Sequence, residues 1–203
     1  MAEWYRNEDW SEAIAEDFER RLARSRSQKA QYLSLQAYHL LARHPDVARD
    51  LAQRAADLDD EFETARALSF VALASLALGN VDGALDAYEA GLQYQIDHPG
   101  MWAVQPVDYA FVVGIFERAD RLPAALPIVE ELPDEGVFGP DPQVSAAKAL
   151  VFGLAGNDDE ARRHAAQALR LMGEMPEVAA LGIETGELRD RLAVMAGEKP
   201  AEE

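Results

Sequence analysis

The stretch ALASLALGNVDGALDAYEAGL, residues 72–92, decides the fold. Its apolar residues recur at three and four positions, the period of a helix that hides one face. Gly79 interrupts the pattern where a helix needs a left-handed residue to end. A second helical run then starts at Val81. Three small residues, Ala72, Ala84 and Gly91, are spaced 12 and 7 apart. A small residue on the first helix lets the second approach closely. Two small residues seven apart on the second helix share a face that receives neighbouring helices.

The same spacing returns in ALVFGLAGNDDEARRHAAQAL, residues 149–169, where Ala149, Ala161 and Ala168 are again 12 and 7 apart. Ala37, Ala48 and Ala55 are spaced 11 and 7, as are Gly114, Ala125 and Leu132. Four helix-turn-helix units follow from this self-similarity. The alternative is an irregular helical bundle in which the alanine spacing is incidental.

Working outward, ten helices are predicted, at 9–25, 28–43, 45–58, 61–78, 81–96, 106–119, 121–132, 142–155, 158–172 and 186–196. Asp9 with Glu12, Asp60 with Glu63, and Asn157 with Glu160 have the spacing of a capping box. Asp141-Pro142, and more weakly His44-Pro45, offer a cap followed by proline at the first helical position. Gly79 and Gly156 mark helix ends. Residues 97–105 and 133–140 are read as longer loops. The whole chain, 1–203, is read as one domain. Residues 1–26 form an N-terminal capping helix, 27–172 the four units, and 173–203 a C-terminal capping helix and tail. Trp10, Ile14, Phe18 and Leu22 put one apolar stripe on the first helix; Leu188, Leu192 and Met195 do so on the last. Helices that close a stack need one such face and a polar back.

These residues resemble the tetratricopeptide repeat family. The likeness rests on Leu68, Ala72, Gly79, Ala84, Tyr88 and Gly91 in one copy and on Ala149, Gly156, Ala161 and Ala168 in another. It covers roughly residues 28–172. The resemblance implies an all-α, α-α superhelix, a solenoid with a concave binding groove. EWYRNEDW, residues 3–10, is similar to the opening of some bacterial tetratricopeptide proteins of unassigned role. The family's usual period is about 34, whereas Ala48, Ala84, Ala125 and Ala161 are separated by 36, 41 and 36. Leu68 and Ser75 also stand where the family usually has aromatics, which puts superhelix regularity in question.

Composition narrows the function classes. There is no cysteine, so disulfides and thiolate metal sites are excluded. The uncharged run Ala67–Val81 is 15 residues, too short to span a membrane. With no basic-then-apolar leader pattern at Met1–Trp10, a cytoplasmic protein is expected. The net charge is −18, and residues 61–140 alone carry 3 basic and 13 acidic side chains. Such a surface repels phosphate backbones and anionic membranes. ERRLARSRSQK, residues 19–29, is the one basic cluster, and its acidic neighbours favour a solvated helix face over nucleic-acid contact.

No reactive constellation stands out. His39, His44, His98 and His164 have no metal-binding spacing and read as surface or loop residues. GNDDEA lacks the alternation of a calcium loop. There is no phosphate loop and no serine elbow. We therefore expect no catalytic residue, no cofactor and no metal.

In the family it resembles, the first helix of each unit lines the groove. The corresponding residues are Ser34 and Tyr38, then Ser69, Leu73 and Leu76, then Phe111 and Ile115, then Ala146 and Leu150. None is charged, so a carboxylate clamp is not carried over. The expectation is a non-catalytic adaptor holding a protein or peptide in an apolar groove. The alternative is an acidic inhibitor or immunity-type protein that neutralises a basic enzyme. An enzyme on an irregular helical fold is a third class, and it would need a polar pocket with perturbed acids.

Overall fold

The three turns that follow Ser75, Val113 and Phe152 are built alike. Asn80 N–H donates to Ser75 O at 2.8 Å, Arg118 N–H to Val113 O at 2.9 Å, and Asn157 N–H to Phe152 O at 2.9 Å. Each is the long bond of a Schellman turn, which closes a helix with a left-handed residue. Gly79 (φ 72°), Glu117 (φ 53°) and Gly156 (φ 75°) supply that residue. Three of the helix-to-helix turns thus share one backbone geometry.

These features come from a computed structural model that describes residues 3–100, 103–135, 139–172 and 185–198. Ten α-helices occur among the described residues. They are α1 (Glu12–Leu22), α2 (Lys29–Leu40), α3 (Pro45–Ala56), α4 (Thr64–Ala77), α5 (Val81–Asp97), α6 (Pro106–Ile115), α7 (Leu122–Glu131), α8 (Pro142–Leu154), α9 (Asp158–Leu171) and α10 (Thr185–Ala196). A single 3-10 turn, Ala119–Arg121, leads into α7. None of these helices is long and apolar enough to cross a membrane.

Several helices begin or end for a local reason. Ser11 caps α1 by accepting from Ile14 N–H at 3.4 Å. Asn80 caps α5, accepting from Gly83 N–H at 3.0 Å, and Asp141 caps α8, accepting from Gln143 N–H at 2.7 Å. Prolines open α3, α6 and α8, where the missing N–H leaves no intrahelical acceptor unpaired. None of the three capping boxes forms as expected. Ser11, not Asp9, caps α1, and Asp60 shapes the turn before α4 by accepting from Phe62 N–H at 3.0 Å. Asn157 stands at the N-cap of α9, with no side-chain cap bond. The helix expected at 106–119 ends at Ile115, because Glu117 turns left-handed.

The chain divides into two compact units, Met1–Val104 and Gln105–Glu203, with the boundary at the 97–105 loop. In the first, consecutive helices pack from α2 to α5, and α2 also meets α4. In the second, α6 packs on α7 and α8, α7 on α8, α8 on α9, and α10 on both α8 and α9. The small residues sit inside these contacts. Ala37, Ala48, Ala55, Ala72, Ala84, Ala125, Ala149 and Ala168 are fully buried.

Two glycines set close approaches. A Cβ on Gly114 would stand 2.6 Å from Leu150 Cβ and 3.3 Å from its carbonyl carbon, so α6 and α8 touch almost backbone to backbone. A Cβ on Gly91 would stand 2.6 Å from Val104 Cγ2. The small position on α5 therefore receives a loop residue as well as Leu68. Gln95 holds that loop down, donating to Val104 O at 3.0 Å and accepting from Ala103 and Val104 N–H at 2.6 Å each. This plug accounts for the break in repeat spacing between Ala84 and Ala125.

At the N-terminus, Trp4 packs on Phe18 and Tyr32, with ring centroids 5.3 and 4.8 Å away. The buried Gln36 amide pairs with the Asn7 backbone in both directions, at 3.1 and 2.7 Å. Phe18 and Leu22 bury the stripe of α1, and Leu188 and Leu192 bury that of α10. Residues 173–184 and 199–203 of the expected C-terminal cap and tail lie outside the described residues.

Candidate functional site

The nine residues expected to line a groove fall into two groups. Tyr38 and Leu73 are open to solvent, 56% and 37% exposed, and Ser69 is half-buried. Ser34, Leu76, Phe111, Ile115, Ala146 and Leu150 are buried, with Phe111 only 3% exposed. The reason is the direct contact between alternate helices. Residues one turn off the main packing stripe face the next helix but one, and that helix covers them. α2 meets α4 sparingly, which leaves Tyr38 and Leu73 open. α6 meets α8 extensively, brought close by Gly114, and its outer stripe is buried.

The first unit therefore presents a face built from α2 and α4. Tyr38 on α2 lies against Phe70 on α4, ring centroids 5.6 Å apart and tilted by 42°. Phe70, Leu73 and Ala77 follow at helical spacing on one side of α4, none of them buried. α4 carries no charge from Ala67 to its end. Phe70 was missed in the sequence, although its spacing of three before Leu73 was available to find it. At the start of α4, Glu63 is buried beside Arg66, at 3.3 Å. Burial pushes the Glu63 carboxyl up, against the pull of the Arg66 guanidinium.

The second unit holds charge inside. A cleft of about 500 Å³ is lined by Asp134, Lys148, Asn157, Glu160, Arg163 and His164 together with apolar residues of α7 and α8. Lys148 is only 6% exposed, and its ammonium pairs with Asp134. Arg163 reaches the other Asp134 oxygen at 3.1 Å and Glu160 at 2.5 Å. Lys148, with Arg163 beside it, holds the Asp134 carboxyl below the usual carboxylate range. A lysine buried this deeply needs such a partner, because an unpaired buried charge costs several kcal/mol.

His164 corrects the expectation of a surface histidine, being 1% exposed and stacked on Phe152 with ring centroids 5.7 Å apart. Burial and then the neighbouring Arg163 guanidinium push its pKa down, so it is neutral at pH 7. Arg163 donates to Nε2 at 2.8 Å, which leaves the proton on Nδ1, and Nδ1 is buried without a partner. This cluster is tertiary. Asp134 meets Lys148 across 14 positions and Arg163 across 29, so no local motif announces it.

A second depression in this unit, about 590 Å³, is floored by Leu150 and Gly153 and edged by Arg162, Arg191 and Met195. Arg191 is engaged there. It donates to Ile115 O at 2.8 Å and Gly114 O at 3.1 Å and pairs with Glu117 at 2.9 Å. The last carbonyls of α6 are satisfied from α10.

Among the described residues, no three histidine or carboxylate side chains converge as metal ligands would. No protein-family model matches the chain, and neither a curated protein nor a solved structure does.

Proposed function

We propose that this chain is a non-catalytic interaction scaffold of tetratricopeptide-like helical units, which holds a protein or peptide against the α2–α4 face. The observation that carries the reading is an uncharged surface made by the exposed Tyr38 and Leu73 and the half-buried Phe70, in a chain of net charge −18. Contiguous apolar surface rimmed by polar residues marks sites of protein contact. The repeat reading is supported by the shared Schellman turns and by contacts that run to the next helix and the next but one. The non-catalytic reading is supported by the state of the acids and base of the second unit. Asp134 is engaged by two cations, and His164 is neutral with its free nitrogen enclosed.

Selection of binders from a random peptide library against the full chain tests the proposal. Recovered peptides should lose binding to Leu73→Asp and keep it to Val194→Asp, an exposed apolar position in the other unit. Peptides indifferent to Leu73→Asp, or no recovered peptide, would count against the α2–α4 face as the site.

A further inference from the structure

The uncharged face has two charged edges: Arg66, paired with Glu63, precedes it on α4, and the other lies beyond Tyr38. Beside Tyr38 lies a depression of about 350 Å³, lined also by Glu8, His39, Leu41, Ala42 and Arg43. Arg43 is already paired with Asp9 at 3.1 Å. Glu8 is exposed, and among the described residues no cation lies within ion-pair distance of it. The carboxylate of Glu8 and the exposed ring of Tyr38 thus share one hollow. A cation entering it would meet both a negative charge and a π face. The wider field has the same sign. Met1–Val104 holds 10 Lys and Arg against 18 Asp and Glu, and no Lys or Arg occurs from Ala67 to Glu117.

We infer that the occupant of this face is a basic amphipathic helix. Its apolar side lies on Phe70 and Leu73, and one Lys or Arg sits between Glu8 and Tyr38. This rests on the interaction-scaffold reading and names the partner's chemistry. The apolar anchors run along α4 at Phe70, Leu73 and Ala77, the i, i+3, i+7 spacing that a facing helix matches with its own ridge. The described part of this unit is built from helices, so an added strand has no sheet edge to extend. The acidic surround favours a cationic partner in encounter and rejects an anionic one.

Three synthetic amphipathic helices with one leucine face test this, their polar faces being lysine, glutamine or glutamate, read by fluorescence anisotropy against the full chain. A scrambled lysine peptide of the same composition measures attraction by net charge alone. The lysine helix should bind, and its affinity should fall with added salt. Leu73→Asp should weaken it at least about tenfold, as loss of a central apolar anchor does. Glu8→Gln should weaken it about two- to fivefold, the worth of one partly exposed ion pair, whereas Glu131→Gln in the other unit should leave it unchanged. If the glutamine helix binds as tightly and Glu8→Gln has no effect, the basic partner is wrong while the face stands. If Leu73→Asp changes nothing, or the scrambled peptide binds equally well, the face itself is wrong.

Discussion

Leu73 on α4 and Ile115 on α6 occupy equivalent places in the two units, each one residue after the small position, Ala72 or Gly114. Each lies on the first helix of a pair, one turn off the packing stripe. Leu73 is open to solvent, whereas Ile115 is buried, as is Phe111 one turn before it. The units join their helices in the same order, yet one leaves an uncharged face outside while the other buries its apolar stripe and encloses Lys148, Asp134 and His164. The difference traces to helix separation. Gly114 removes the side chain that would hold α6 away from α8, and no glycine occurs in α2 or α4. Helix order thus fixes which helices meet, and one missing Cβ brings α6 and α8 close enough to cover their flank.

The comparison breaks most visibly if Phe111 is not core. Phe111→Ala should cost about 4 kcal/mol in denaturant unfolding, as large-to-small changes of buried aromatics do. A cost under about 1 kcal/mol would mean that the second unit also keeps an open face.

The two close-approach glycines sharpen it next. Gly114→Ala forces a Cβ against the backbone of α8 and should cost about 2 kcal/mol. Gly91→Ala meets a side-chain methyl of Val104 in a loop that can yield, and should cost about 1 kcal/mol. Equal effects in chemical melts would undo the claim that Gly114 sets the spacing.

Acid should separate the units by sign. The folded pKa of His164 is depressed, so as pH falls below about 6.5 the unfolded chain takes the proton first and the second unit loses stability. The folded pKa of Glu63 is raised, so its contribution is fully present below the unfolded value and is lost as pH rises through the folded one. Acidification from neutral therefore relieves the first unit while it weakens the second. Hydrogen exchange at pH 7 and pH 5, resolved by peptide, should show protection falling in α8 and α9 and holding in α4. Parallel loss in both would contradict the assignment.

The smallest effect belongs to the open face. Tyr38→Ala should change stability by less than about 0.5 kcal/mol, because an exposed ring leaves no cavity. A larger loss in thermal melts would make Tyr38 a structural residue.

Much of the helix map was legible in sequence because helix ends are local. Gly79, Gly156, Asp141 and the helix-opening prolines each act within a few residues of themselves. Glu117 shows the limit. It takes the left-handed position that Gly79 and Gly156 hold, and a glutamate does not advertise that role. Burial was less legible. Ala67–Leu78 looks apolar on every side, so the sequence could not separate Leu73, which is open, from Leu76, which is covered. That distinction depends on how far α2 stands from α4. The burial of His164 is hidden for the same reason, since Phe152 and Asp134 come to it through tertiary packing, although Arg163 is its neighbour in the chain.

The grip of Arg191 on the end of α6 has a consequence in time. Gly114 O already accepts from Glu117 N–H at 3.3 Å, but the Ile115 carbonyl waits for a donor 76 positions further along the chain. A ribosome delivers the chain from its N-terminus. The residues of the first unit have all been made by Val104. The second leaves the Ile115 carbonyl without its Arg191 donor until α10 has emerged. During synthesis the two units therefore differ in readiness, and a nascent chain released before Arg191 lacks a tie between α6 and α10 in its second unit.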